Sequence, residues 1–294
     1  MHIERIKNIL LLSLFSLSFL LFTLVLAADS RYVLSESQEM SILDLLEGSN
    51  IVFYADIPRY FNPMPVLTLQ AYTYDLYGIS QTFFGSDAFL REQEGSRLIF
   101  SYNEKRLIFS PVDNSIILDI PKGVTTDSWN FAQGARGAEM LAEQYIGYVF
   151  GGLMGMELFP TIVSFRGDYI IRFFGSYGGY IVYNSRIRVR VNELGVTQVI
   201  FSYASAEGFG SEVLHIVSAD EALMALMNHL RSSGVVSDNI IISGMNLVYF
   251  LPQVSFGIQN TFPAYVFNVV IDNIQFNYLF NAFNNRFILY EIVR

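Results

Sequence analysis

Arg186-Ile187-Arg188-Val189-Arg190-Val191-Asn192-Glu193-Leu194-Gly195-Val196 is the stretch from which the fold is read. Arginine alternates with a β-branched residue over six positions, the period of a strand with one apolar face and one charged face. Asn192 to Gly195 supplies turn residues, and alternation resumes from Val196 to Tyr203, so the two runs form an antiparallel pair. Arg186, Arg188 and Arg190 then project from one sheet face. That strip reads either as a docking surface for an acidic partner or as the solvated face common in antiparallel sheets.

Reading outward, strands are expected at 161–165, 169–174, 180–191 and 196–203. A helix beginning near Asp127 precedes them, with Ala135, Ala138, Ala142, Tyr145 and Val149 along one face. The same order then repeats. Ser218-Ala219-Asp220-Glu221 is a capping-box signature, Leu223, Leu226, Met227 and Leu230 form an apolar stripe, and Gly234 stops the helix. Strands follow at 239–250, 265–271, 274–280 and 287–292. A smaller module precedes both, with a strand over 66–72, a short helix over 74–84 and strands over 97–102, 106–109 and 115–120. Pro58, Pro63 and Pro65 exclude a long regular element just before it.

The expected architecture is α+β, with modules of antiparallel sheet each covered by a helix. They span 51–125, 126–206 and 207–294, and the last two are helix-plus-four-strand repeats. Residues 29–50 read as a linker or a marginal helix, with Met40, Leu43, Leu45 and Leu46 as its apolar positions.

Ahead of these modules lies the uncharged run Ile9–Ala28, about 20 residues, the length of a transmembrane helix. Arg5 and Lys7 precede it and Asp29 follows, so residues 1–8 are expected in the cytoplasm and the rest outside. A cleaved signal peptide is the competing reading, because Val25-Leu26-Ala27 resembles a cleavage site; the length of the run favours an anchor. Ser13, Ser16, Leu20, Thr23 and Ala27, at steps of about 100° per residue, fall in one arc of roughly 80°. Small and hydroxyl-bearing residues let helices approach closely in lipid, so this arc is the expected partner seam.

Composition excludes several functions. The chain carries a net charge of −9, and removing Arg5, Lys7 and Glu4 with the anchor leaves the exported part more negative still, so nucleic acid is not an expected partner. No cysteine is present, which removes disulfides and thiol chemistry. His2, His215 and His229 lack ligand-type neighbours at helical spacing, Glu139 and Glu143 read as a solvated helix face, and Gly147 to Gly155 lacks the context of a phosphate loop. No Gly-x-Ser-x-Gly elbow occurs. No enzyme activity, metal or cofactor is expected.

Ala55-Asp56-Ile57-Pro58, the Tyr183 to Val196 strand with its Asn-Glu-Leu-Gly turn, Ser218-Ala219 before Glu221-Ala222-Leu223, Pro263-Ala264-Tyr265 and Asn281-Ala282-Phe283 resemble the YycI and YycH regulators. Asn284-Asn285 and Tyr265 depart from that pattern and leave the choice among YycI, YycH and a distant relative of both open. The resemblance implies a single-pass membrane protein that tunes a WalK-type (YycG) sensor kinase of a cell-wall two-component system, alongside a related YycH/YycI-type protein. The alternative is an exported module that binds a wall polymer or small ligand in a groove of Tyr and Phe.

Overall fold

The computed structural model describes residues 14–20, 32–125, 129–150, 157–165, 167–235, 237, 239–252 and 257–293. Residues 14–20 are helical, and most of the expected span lies outside the described residues. Among the described residues no helix is long and apolar enough to cross a membrane.

The fold is α+β and one large sheet dominates it. Helix α1 (Glu36–Glu47) occupies the expected linker, because Ser35 and Gln38 form a capping box and Ile42 and Leu46 are buried. A three-residue strand β1 (Ile51–Phe53) runs parallel to a later strand, and β2 (Met64–Ala71) follows the prolines. Helix α2 (Leu76–Phe84), capped by Asp75 and stopped at Gly85, leads into an antiparallel meander of β3 (Leu90–Glu94), β4 (Arg97–Tyr102), β5 (Lys105–Ser110) and β6 (Ser115–Val124). The opening region is therefore itself a helix followed by four strands, where three strands were expected. Strand β3 is exposed at every position and charged at Arg91, Glu92 and Glu94, the composition of a protected sheet edge, so it carries no apolar alternation to read.

The second unit has helix α3 (Gly134–Phe150), then β7 (Glu157–Phe165), β8 (Asp168–Tyr177), β9 (Tyr180–Asn192) and β10 (Gly195–Ser202). The helix begins later than expected. Asn130 caps a short 3-10 turn, accepting the Ala132 N–H at 2.9 Å, and Gly134 redirects the chain with φ +67. Ala138, Ala142, Tyr145 and Val149 are buried, but Ala135, in the first turn, is exposed. Asp127 lies outside the described residues.

A strand absent from the sequence reading, β11 (Ala204–Leu214), pairs with β2. Then come α4 (Ala219–Ser232), β12 (Ile240–Phe250), β13 (Ile258–Ile271), β14 (Ile274–Asn281) and β15 (Phe287–Ile292). All four expected apolar positions of α4 are buried, and the Glu221 carboxylate accepts the Ser218 N–H at 3.3 Å. The Ser218 hydroxyl also donates to the Asp220 carboxylate beside the capping box.

The modules do not keep separate sheets. β6 pairs antiparallel with β10, so the last strands of the first two units cover each other's edges, and β9 meets β12 through a parallel bridge at Val182 and Tyr249. Joining removes strand edges that would otherwise stay unpaired. The main core lies between this sheet and the helices: Phe150 of α3 stacks on Phe201 at 4.2 Å, while Ile187, Val189 and Val191 are fully buried. A second, smaller core of Phe174, Tyr183, Val248, Phe250, Ala264, Val266 and Leu279 sits on the opposite side, where the helix-free faces of the second and third units meet.

Candidate interaction surface

The expectation that Arg186, Arg188 and Arg190 share a face holds, since their alternate neighbours Ile187, Val189 and Val191 pack toward α3. Cross-strand register builds that face further. Arg172 of β8 stands directly opposite Arg188, and Ile200 of β10 flanks Arg188 on its other side. Ile200 is followed in turn by Ile117, Ile108 and Ile99 on successive strands, all half-buried. One row thus runs from two guanidinium groups onto four isoleucines.

The neighbouring arginines are already occupied. Arg190 Nε donates to Asp168 Oδ2 at 2.7 Å, and Arg106 pairs with Asp119 at 3.0 Å one row further along. Arg186 Nη1 reaches Glu291 Oε2 of β15 at 3.2 Å, an ion pair that ties the second unit to the third. Tyr183 donates its hydroxyl to the same oxygen at 3.0 Å and accepts from Asn277 Nδ2 at 2.8 Å, and Asn277 Oδ1 accepts from Asn268 Nδ2 at 2.8 Å. This chain satisfies the polar groups bordering the smaller core. Burial, and next the charge of Glu291, push the Tyr183 phenol above its ordinary range. Burial and neighbouring guanidinium groups push Arg172 and Arg188 below theirs.

Arg172, Glu291, Tyr183 and Asn277 were not singled out from sequence. A usable signal existed for one of them, because Glu291 is the lone charge in Phe287-Ile-Leu-Tyr-Glu-Ile292, and such a carboxylate calls for a partner. Of the membrane seam, Ser16 and Leu20 lie on the helical residues 14–20, while Ser13, Thr23 and Ala27 lie outside the described residues. His229 stacks on Phe287 at 3.9 Å and burial lowers its pKa; His215 stacks on Tyr32 at 5.6 Å. Among the described residues no cluster of three or more His, Asp or Glu side chains could hold a metal. A cleft bounded by Tyr60, Tyr180, Phe209 and Tyr249 encloses about 170 Å³, below the roughly 300 Å³ at which ligand sites begin.

With this geometry in hand, the chain can be set beside known structures. The fold is a shared one. A crystal structure of an uncharacterized protein from Eubacterium rectale ATCC 33656 is similar at 11% identity, over 82% of this chain and 91% of that one, with a TM-score of 0.53. The C-terminal domain of Bacillus megaterium YpeB aligns at 11% identity over 76% of this chain and 99% of its own, but its TM-score of 0.38 carries no argument. No family model and no curated protein matches the chain. The likeness to the first structure establishes the common arrangement of the chain alone.

Proposed function

We propose that this chain is a non-enzymatic regulatory protein, anchored in the cell membrane through residues 9–28 with its N-terminus in the cytoplasm. Its exported body tunes a sensor histidine kinase of a cell-wall two-component system, together with a related YycH/YycI-type membrane protein. The observation that carries this reading is the uncharged run Ile9–Ala28, basic before and acidic after, joined to a body that exposes Arg188 and Arg190 on the sheet face away from α3. A mixed face of arginine and isoleucine suits binding to another protein better than enclosing a small molecule, and the aromatic cleft, at about 170 Å³, lies below the roughly 300 Å³ at which ligand sites begin. The seam of Ser13, Ser16, Leu20, Thr23 and Ala27 provides the contact within the membrane.

The test is to fractionate cells expressing the full chain, sequence its mature N-terminus and assay co-purification of the kinase from solubilised membranes. An intact N-terminus in the membrane fraction, with kinase bound, is expected. A mature chain starting at Ala28 or Asp29 and recovered without kinase overturns the reading in favour of an exported binding module.

A further inference from the structure

Among the described residues, β1, β3, β7, β11 and β15 each pair with a neighbour on one side only. Open edges invite pairing with another chain, and four of these five carry a feature that blunts it. β3 holds Arg91, Glu92 and Glu94, β11 is irregular in register twice and carries Glu207, Gly208 and Glu212, β7 contains Pro160, and β1 is three residues long. β15 differs. Phe287-Ile-Leu-Tyr-Glu-Ile292 has no proline, glycine or lysine, and its one charge, Glu291, is held by Arg186 and Tyr183. Its one irregularity, beside Phe287, lies at the turn end of the strand.

The phase of the ladder fixes which backbone groups face outward. Val293 N–H donates to Gln275 O at 2.9 Å, directly across the pair, so Glu291 and Leu289 also turn their backbone groups to β14. The N–H and C=O of Tyr290 and Ile292 therefore point away from the sheet, where no described strand meets them. On the α4 side of this edge Phe287, Tyr290 and Ile292 are 38%, 55% and 43% exposed, and Tyr290 stands opposite Tyr278 with ring centroids 5.7 Å apart.

A second copy of the strand matches these groups. For the outward groups to meet antiparallel about a two-fold axis, the pair must centre on Tyr290, Glu291 or Ile292. Centring on Glu291 sets two carboxylates directly opposite each other, which opposes pairing. Centring on Ile292 overlaps only the ends of the strands. Centring on Tyr290 overlaps them from Ile288 to Ile292 and sets Glu291 opposite Leu289. Charge favours the same partner, since two copies of a chain of net charge −9 repel, whereas on this strip the carboxylate already has its guanidinium. The exposed side chains and backbone edge amount to on the order of 400 Å² per copy, an area suited to a weak, reversible pair.

We propose that β15 pairs antiparallel with β15 of a second copy, Tyr290 opposite Tyr290, so that Tyr278 and Tyr290 of both copies form one row of four tyrosines across the joint. The joint is independent of any kinase contact.

The chain has no cysteine, so Tyr290→Cys supplies a single thiol. Opposed residues of a hydrogen-bonded pair lie about 5.5 Å apart at Cα, within reach of a disulfide. Tagged and untagged copies of the full chain are expressed together, and the cells are treated with copper phenanthroline. Tyr290→Cys is expected to give a tagged–untagged dimer about tenfold faster than Ile292→Cys, whose two copies would stand roughly 14 Å apart at about 3.4 Å per residue. Gln93→Cys, on the charged β3 edge, should trap as little as Ile292→Cys. Ile292→Pro removes an outward N–H and leaves the bonds to β14 in place, so it should abolish trapping at position 290 while the thermal midpoint stays near that of the wild type. Ile292→Lys, which keeps the N–H and adds a charge to the edge, should do the same and replaces the proline variant if that one does not fold. Equal trapping at all three positions, trapping at 290 that survives the Ile292 substitutions, or no tagged–untagged dimer overturns the joint. A thiol at 290 trapped on a different protein overturns the second copy and assigns the edge to that protein.

Discussion

Arg186 and Glu291 stand 105 positions apart in sequence and meet at 3.2 Å, with their side chains 35% and 30% exposed. Because Tyr183 donates to the same carboxylate, one acid holds two units together and satisfies the edge of the smaller core. Removing that acid leaves a half-buried guanidinium and a buried phenol without their partner. Glu291→Leu is therefore expected to cost about 2–4 kcal/mol, and Glu291→Gln, which keeps an acceptor for Tyr183, about half of that. Urea denaturation of the two variants checks the order; equal losses would mean that the charge contributes nothing.

Arg188 and Arg190 predict opposite signs from the same substitution. Arg188→Gln relieves the opposition to Arg172 and is expected to raise stability by about 0.2–1 kcal/mol. Arg190→Gln strips Asp168, whose side chain is only 13% exposed, of its partner and should lower stability by about 1 kcal/mol. Thermal midpoints that move in the same direction for both would contradict the asymmetry.

How much of this was legible beforehand follows from what each residue's signal depends on. Alternation fixes β9 and β10, and the Ser218 box fixes the start of α4, because both are local patterns. β3 and β11 were missed: one is exposed throughout and mostly charged, and the other, with Gly208 and Gly210, is largely exposed. That three arginines share a face was readable from period two alone. That two of them are already paired was not, since Asp168 and Glu291 come from other strands. Nor was the joining of β6 to β10, which matches side chains some 80 positions apart.

Gly123 and Gly195 test that junction. Both have positive φ, +66 and +93, and a Cβ at either would collide with backbone of the other strand's end, at Leu194 and at Val124. Gly123→Ala and Gly195→Ala are each expected to cost about 1–3 kcal/mol, whereas Gly85→Ala, with positive φ but open space around it, should cost less. Chemical denaturation of the three variants decides whether the close approach or φ alone matters.

Alkaline pH should weaken the fold. Burial raises the phenols of Tyr74, Tyr145, Tyr183, Tyr249 and Tyr265 in the folded state. Above about pH 10 the unfolded chain releases protons that the folded chain retains, so the unfolded state binds fewer protons and stability falls as pH rises. Below about pH 10 this contribution is fully present. The urea midpoint is expected to hold steady from about pH 8 to 9 and fall beyond about pH 10, less steeply in Tyr183→Phe. Parallel pH profiles for that variant and wild type would exclude Tyr183 from the effect.

The most direct test of regulation is to reconstitute the sensor kinase in lipid nanodiscs and measure its autophosphorylation with and without the full chain. A change of about fivefold or more is expected. It should be lost when Ser13, Ser16 and Thr23 are replaced by Leu together with Arg188→Glu. A rate that stays the same at saturating full chain would contradict the account.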